Sequence, residues 1–220
     1  MAALIVVDVQ EDFCEPNGTL AVKDGRALAP VWNRLLASDK FRCKVATHDW
    51  HPADHVSFAS QHSGAQPFTS QHTFRNPDNT DEAVTTTLWP DHCIADSPGA
   101  KLIPELDQQH LTHCIFKGQD KRVECYSAFG PPFKNPRMAG SKLVEILKPN
   151  EVKEVWVVGL AYDYCVKHTA LDAAEKGYRT YVLESATKAV DSGEASMRVV
   201  REELRKAGVT VVEGSELGGA

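Results

Sequence analysis

"KEVWVVGLAYDYCVKHTALDAAEKGYRTYVLE", residues 153–184, decides the fold. Its opening run to Gly159 is almost continuously apolar, as in a strand buried on both faces. A helical pattern follows over 164–177 and stops at Gly177, where a glycine past the last turn ends a helix. The next apolar run, 178–184, is a second strand. Strand, helix and strand in that order build a parallel sheet, because parallel neighbours need a crossover.

Working outward, "ALIVVD" (3–8), "CKVATHD" (43–49), "HCIFK" (113–117) and "VTVVE" (209–213) supply four more strands. Helices are predicted over 25–38, with Pro30 in the first turns, over about 142–147, and over 193–208, ending at Gly208. The pattern predicts an α/β fold: three αβα layers around a mostly parallel six-stranded sheet, Rossmann-like, in one catalytic domain over 1–214. Residues 215–220 read as a disordered tail. Two long segments, roughly 50–99 and 118–139, show no clear period and hold most of the prolines and aromatics. Loops of that length in a compact domain are functional or mobile.

The 220 residues carry a net charge of −6, so no basic field exists to hold nucleic acid. The apolar run at the amino terminus is broken at Asp8 and lacks a basic flank, which excludes a signal peptide or membrane span there. Cys14, Cys43, Cys93, Cys114, Cys125 and Cys165 form no CxxC pair. Free thiols in a reducing compartment fit that spacing, and a cytoplasmic protein is expected.

In an open parallel sheet, ligands bind beyond the carboxyl ends of the strands. Here those ends carry Asp8, Asp49 and Lys117, and the strand through Gly159 leads to Cys165 in a strand-to-helix turn. Unpaired amides and the helix dipole at such a turn favour a thiolate and can receive an oxyanion. Most cysteines taken singly are inert core residues; the company of Asp8 and Lys117 reverses that reading. Asp8 is the candidate general base, and Lys117 would keep it ionised and stabilise a thiolate. His168 lies one helical turn past Cys165, but the helix direction points it away, so it ranks below Asp8 as a partner.

"THDWHPADH", 47–55, gathers three of the nine histidines. An extended Asp49-x-His51 puts both side chains on one side. His55 follows a proline turn, and "WPDHC" offers His92, with Cys93 beside it, as a third donor. One carboxylate and two imidazoles plus water describe an open catalytic-type metal site, not a closed structural one. A polar loop with satisfied histidines is the competing account.

Together "LIVVDVQEDFCEPNGTLAV", "THDWHPADHVSF", "WPDHC", "FKG", "CYSAF" and "VVGLAYDYCVKHTALDAAEKGY" resemble the nicotinamidase/pyrazinamidase branch of the isochorismatase-like cysteine hydrolases. The motifs occur in the family's order from residue 4 to about 184, and the paired "DWHPxxH" and "WPxHC" point to that branch. The resemblance implies the isochorismatase-like hydrolase fold and a triad of Asp8, Lys117 and Cys165. It implies one divalent metal on Asp49, His51 and His92, zinc before iron or manganese, and no organic cofactor. His55 matches a position that is a ligand in some members and only a neighbour in others. A cis peptide before Ala161 is expected, with the Ala161 and Cys165 amides as the oxyanion hole. Phe13, Leu20, Trp89 and Tyr126 fall at or near the positions that wall the substrate ring. The implied activity is hydrolysis of nicotinamide to nicotinate and ammonia through a cysteine thioester, feeding NAD salvage, with pyrazinamide as a further substrate. The expected partner is thus a small molecule, with no nucleic acid or membrane; monomer and homo-oligomer stay open.

Alternatives are a related hydrolase of another small amide or N-carbamoyl compound, a non-catalytic metal-binding protein on the same fold, and a thiol redox protein. The last would need a resolving cysteine near Cys165. The 118–139 loop is longer than the family motifs explain; its Lys121 and Arg122 either shape a pocket mouth or stand in solvent.

Overall fold

The structure is a computed structural model and describes residues 1–214; the predicted tail at 215–220 lies outside the described residues. Six strands form one parallel sheet: β1 (Ala2–Val7), β2 (Phe41–Asp49), β5 (His113–Lys117), β6 (Glu154–Leu160), β7 (Arg179–Lys188) and β8 (Thr210–Val212). Their order is β5-β2-β1-β6-β7-β8, which is the doubly wound arrangement with its switch point between β1 and β6. All six predicted strands are present.

Alternation along β1 explains the layers. Leu4 and Val6 face a core with Trp32, Leu35 and Leu36 of α1 (Ala29–Ala37). Ala3, Ile5 and Val7 face the opposite core. There they meet α2 (Leu143–Leu147), α3 (Lys167–Glu175) and α4 (Glu194–Lys206) through Leu143, Ala170, Val200 and Leu204. A strand covered on both sides has no polar face, which is why these segments read as unbroken Val/Ile runs. Pro30 sits in the first turn of α1, where its missing N–H leaves no bond unmade. The predicted helix over 164–177 opens with one π-helical turn, Tyr162–Val166, before α3 begins. The Leu160–Ala161 peptide is cis, as expected. Among the described residues no helix is long and apolar enough to cross a membrane.

One expectation is corrected. The segment 50–99 is not irregular throughout: β3 (Gln71–Asn76) and β4 (Asn79–Thr87) form an antiparallel hairpin apart from the main sheet. Its core contribution is small. Phe74 and Val84 pack with Val123, Phe133 and Met138 of the 118–139 segment. The Glu82 carboxylate then accepts the amides of Lys134 and Asn135 at 2.8 and 3.1 Å. The two long segments therefore hold each other. Lys121 and Arg122 are exposed and pair with Asp54 and Asp120.

At the switch point β1 and β6 approach closely. Gly159 pairs with Val7 and has φ +111°, and a Cβ there would lie 2.2 Å from the Val7 carbonyl oxygen. Neither that dihedral nor that contact is open to an L side chain. Gly159→Ala is expected to destabilise the fold by about 2 kcal/mol or more, lowering Tm by roughly 4–8 °C. A calorimetric Tm equal to that of the unmodified protein would show that the strands part at little cost.

Candidate active site

Each polar group at the sheet's carboxyl edge is delivered by a strand whose interior is apolar. Asp8 follows β1 with φ 47°, a left-handed conformation that aspartate tolerates. Its amide donates to Thr47 Oγ1 at 3.0 Å, and the Thr47 hydroxyl donates back to Asp8 Oδ1. Lys117 ends β5 and reaches across β2: its Nζ lies 2.9 Å from Asp8 Oδ2 and 2.9 Å from Asp49 Oδ1. The same ammonium lies 3.2 Å from the Cys125 carbonyl and 3.4 Å from Cys165 Sγ. The Asp8, Asp49 and Cys165 ligand atoms all fall within 4.8 Å of one another. The three residues named from the strand ends are thus in mutual contact and buried.

Burial works against the Lys117 charge, but Asp49 and Asp8 outweigh it and hold the amine protonated, its pKa raised well above the ordinary value. Burial likewise raises the Asp8 carboxyl despite the opposing pull of Lys117. For Cys165, burial pushes the thiol well up, and the Lys117 charge only partly offsets it. The helix start and the ammonium favour a thiolate, while desolvation of the anion opposes it more strongly than the one ammonium helps. A thiolate at Cys165 would need its proton moved, and the Asp8 carboxylate, within 4.8 Å of the sulfur, is in place to take it.

The second cluster shares Asp49. Its Oδ2 lies 3.3 Å from His51 Nε2 and 3.7 Å from His92 Nε2. Both imidazoles turn Nδ1 to a carbonyl, of Gly118 at 2.9 Å and Pro90 at 2.7 Å. A carbonyl only accepts, so each Nδ1 carries a proton, and each Nε2 is the nitrogen turned toward Asp49. His51 Nε2 is buried without a hydrogen-bond partner. Two converging imidazole nitrogens, one of them buried without a partner, and a carboxylate make a donor set that fits a divalent cation of the zinc type. His55 stacks on His51 at 4.0 Å, but its nitrogens are occupied. Nε2 meets the Val123 carbonyl at 3.2 Å, and Nδ1 meets the Ser57 hydroxyl at 2.7 Å. In this arrangement it supports the cluster from behind.

A narrow pocket opens onto both clusters; its free space, about 20 Å³, is well short of the ~300–1,000 Å³ usual for small ligands. Phe13, Leu20, Trp89 and Tyr126 line it, with Asp49, His92, Ala161 and Cys165 at its base. Two further wall residues, Tyr164 and Val190, were not anticipated. Tyr164 stands beside Cys165 in the decisive stretch, where the aromatic itself was a signal. Val190 follows β7 and gives none locally. Sequence reasoning also missed Gln10, whose side chain accepts the Asp49 amide and donates to the Asp49 and Ala100 carbonyls, each at 2.8 Å. Asp12 similarly accepts the Cys93 amide at 2.7 Å, tying down the His92 segment. His168 turns to Tyr126, stacking at 5.3 Å, while Lys117 and Asp8 face the thiol.

The isochorismatase-domain profile matches residues 2–216. A nicotinamidase of Escherichia coli (strain K12) is 40% identical over 216 residues, covering 95% of this chain and 93% of its own. The structure of the yeast nicotinamidase superposes with a TM-score of 0.90 at 34% identity, covering 97% of this chain and 100% of that one. A Pyrococcus horikoshii pyrazinamidase, solved in complex with zinc, gives 0.73 at 32% identity, covering 97% and 99%. The chain belongs to the isochorismatase family, and its six-stranded α/β fold is that family's hydrolase fold.

Gly118 offers a test of the metal cluster. It has φ +71°, and a Cβ there would lie 2.4 Å from His51 Cε1. Gly118→Ala is expected to turn the His51 ring and weaken zinc binding roughly 10–100-fold, as loss of a ligand's support does. His51→Ala should lose the metal outright. Chelator competition and elemental analysis measure both; unchanged affinity in the two variants would remove His51 from the metal site.

Proposed function

We propose that the chain is a nicotinamide amidohydrolase, hydrolysing nicotinamide to nicotinate and ammonia through a thioester on Cys165, and pyrazinamide by the same route. The observation that carries it is the buried contact of Cys165 with Lys117 and Asp8 at the base of an aromatic-walled pocket that also exposes Asp49 and His92. Full-length similarity to nicotinamidases from bacteria and yeast supports the same substrate.

The aromatic ring lies among Phe13, Leu20, Trp89 and Tyr126, with its carboxamide toward Cys165. Asp8 takes the thiol proton as sulfur attacks the amide carbonyl. Lys117 stays protonated and offsets the charge that has moved onto sulfur. The Ala161 and Cys165 amides receive the oxyanion, each donor worth on the order of 3 kcal/mol. Collapse expels ammonia with the proton held by Asp8, leaving a neutral thioester. Asp8 then draws a proton from water, which hydrolyses the thioester and returns the thiol. Asp49, His51 and His92 would hold a divalent ion, zinc first, which supplies a Lewis acid able to orient an aromatic ring nitrogen and acidify bound water. The route calls for no organic cofactor. All six cysteines are free thiols, which supports action in the reducing cytoplasm.

The test is ammonia release from nicotinamide by zinc-loaded protein, with activity lost on chelation and regained on adding metal. Cys165→Ala is expected to keep fold and metal while turnover falls more than about 10³-fold. Substantial turnover in that variant would mean another residue is the nucleophile. Absence of any release from the loaded unmodified protein would exclude nicotinamide as the substrate.

A further inference from the structure

A second cavity lies beside the catalytic pocket. It is an open groove with about 450 Å³ of free space, lined by Thr86 and Thr87 of the hairpin and by Glu124, Ser127 and His168. Tyr126 and Tyr164 line both spaces. Their rings are 5.3 Å apart at 55°, and Trp89 meets Tyr164 edge-on at 4.8 Å. The wall between the narrow pocket of about 20 Å³ and this much larger groove is therefore one layer of aromatic rings.

Tyr126 does not hold its place by packing alone. The Trp89 indole N–H donates to the Tyr126 oxygen at 3.0 Å. The Thr86 hydroxyl is 2.5 Å from the same oxygen, and either hydroxyl can donate in that bond. A hydrogen-bonded chain of Trp89, Tyr126 and Thr86 thus pins two pocket walls to β4. His168 stacks on the far face of the phenol ring. Thr86 is buried on an otherwise largely exposed strand, which is unexplained by the hairpin's own small core.

Resting on the function proposed above, we propose that Tyr126, positioned by the Thr86 hydroxyl, is the partition that limits the acyl part of the amide to a single aromatic ring. The space behind it is a latent extension of the same pocket. Opening the partition would admit fused bicyclic amides that keep the pyridine nitrogen and carboxamide in the same relation, of which quinoline-3-carboxamide is the simplest.

The experiment compares kcat/KM for quinoline-3-carboxamide and nicotinamide in zinc-loaded unmodified protein, Tyr126→Ala, Thr86→Val and Thr86→Ser. Tyr126→Ala is expected to raise the bicyclic-to-monocyclic ratio at least tenfold. Thr86→Val keeps the side chain's shape without its hydroxyl. It should shift the ratio the same way by threefold or more, acting through KM for nicotinamide more than through kcat, while Thr86→Ser restores the original ratio. A ratio unmoved by both Tyr126→Ala and Thr86→Val overturns the partition; a Thr86→Ser variant as altered as Thr86→Val overturns the role of the hydroxyl. If Tyr126→Ala does not fold, Thr86→Val decides. If the unmodified protein releases no ammonia from nicotinamide, the function proposed above fails, and the partition is read instead from alkylation at Cys165 by peptide mass analysis. There the rate with pyrenyl-maleimide relative to ethyl-maleimide should rise in the variants, and equal relative rates would overturn it.

Discussion

A single buried ammonium holds this site together. Lys117 is almost wholly enclosed, yet its charge is matched on two sides by Asp8 and Asp49 and touched on a third by the Cys165 sulfur. Burying three ionisable groups is unfavourable unless their geometry is close to complete, and removal of one partner leaves another charge uncompensated. Three strands, β1, β2 and β5, are therefore bound to a common relative height at their carboxyl ends. Asp49 carries the constraint further, since one oxygen meets Lys117 while the other meets two imidazoles. The thiol half and the metal-type half of the site cannot be moved independently.

Topology supplies the fourth member. With strand order β5-β2-β1-β6-β7-β8, the chain leaves β1 toward one side of the sheet and β6 toward the other, so a crevice opens between neighbouring strands. Asp8 stands on one lip and Cys165 on the other. How closely they face depends on how closely β1 and β6 approach, and Gly159 permits that approach against the Val7 backbone. A glycine in a strand interior usually weakens it; here it narrows the gap between Asp8 and Cys165.

These relations were legible in the sequence to different degrees, for physical reasons. Strands buried on both faces advertise themselves, so all six of the main sheet were found, and the polar residues at their ends stood out against apolar runs. The β3–β4 hairpin was invisible because only Phe74, Asn76 and Thr86 of its two strands are buried, leaving a threonine-rich polar text with no clear period. The burial that raises the Cys165 thiol was not legible, because a helix start is local and readable whereas desolvation depends on everything packed around it. His55 could not be separated from His51 by spacing; only the carbonyl of Val123 and the hydroxyl of Ser57 distinguish them. Gln10 and Asp12 belong to the opening motif, but the atoms they hold lie about a strand or a loop away.

The molecule separates chemistry from selection along the same line that separates legible from illegible. Asp8, Lys117 and Asp49 sit at or just past the ends of strands in a sheet covered on both faces, where sub-ångström placement is inherited from the core. Trp89, Tyr126 and the threonine that orders them come from the hairpin and the 118–139 segment, joined by a three-residue core and a few side-chain bonds to backbone. This attachment meets the buried ammonium at one point, the Cys125 carbonyl beside Tyr126, and otherwise stands apart from the charged cluster. Changes in the acceptable ring would then fall on the outer elements, while the bond-breaking groups stay under the constraint that Lys117 imposes.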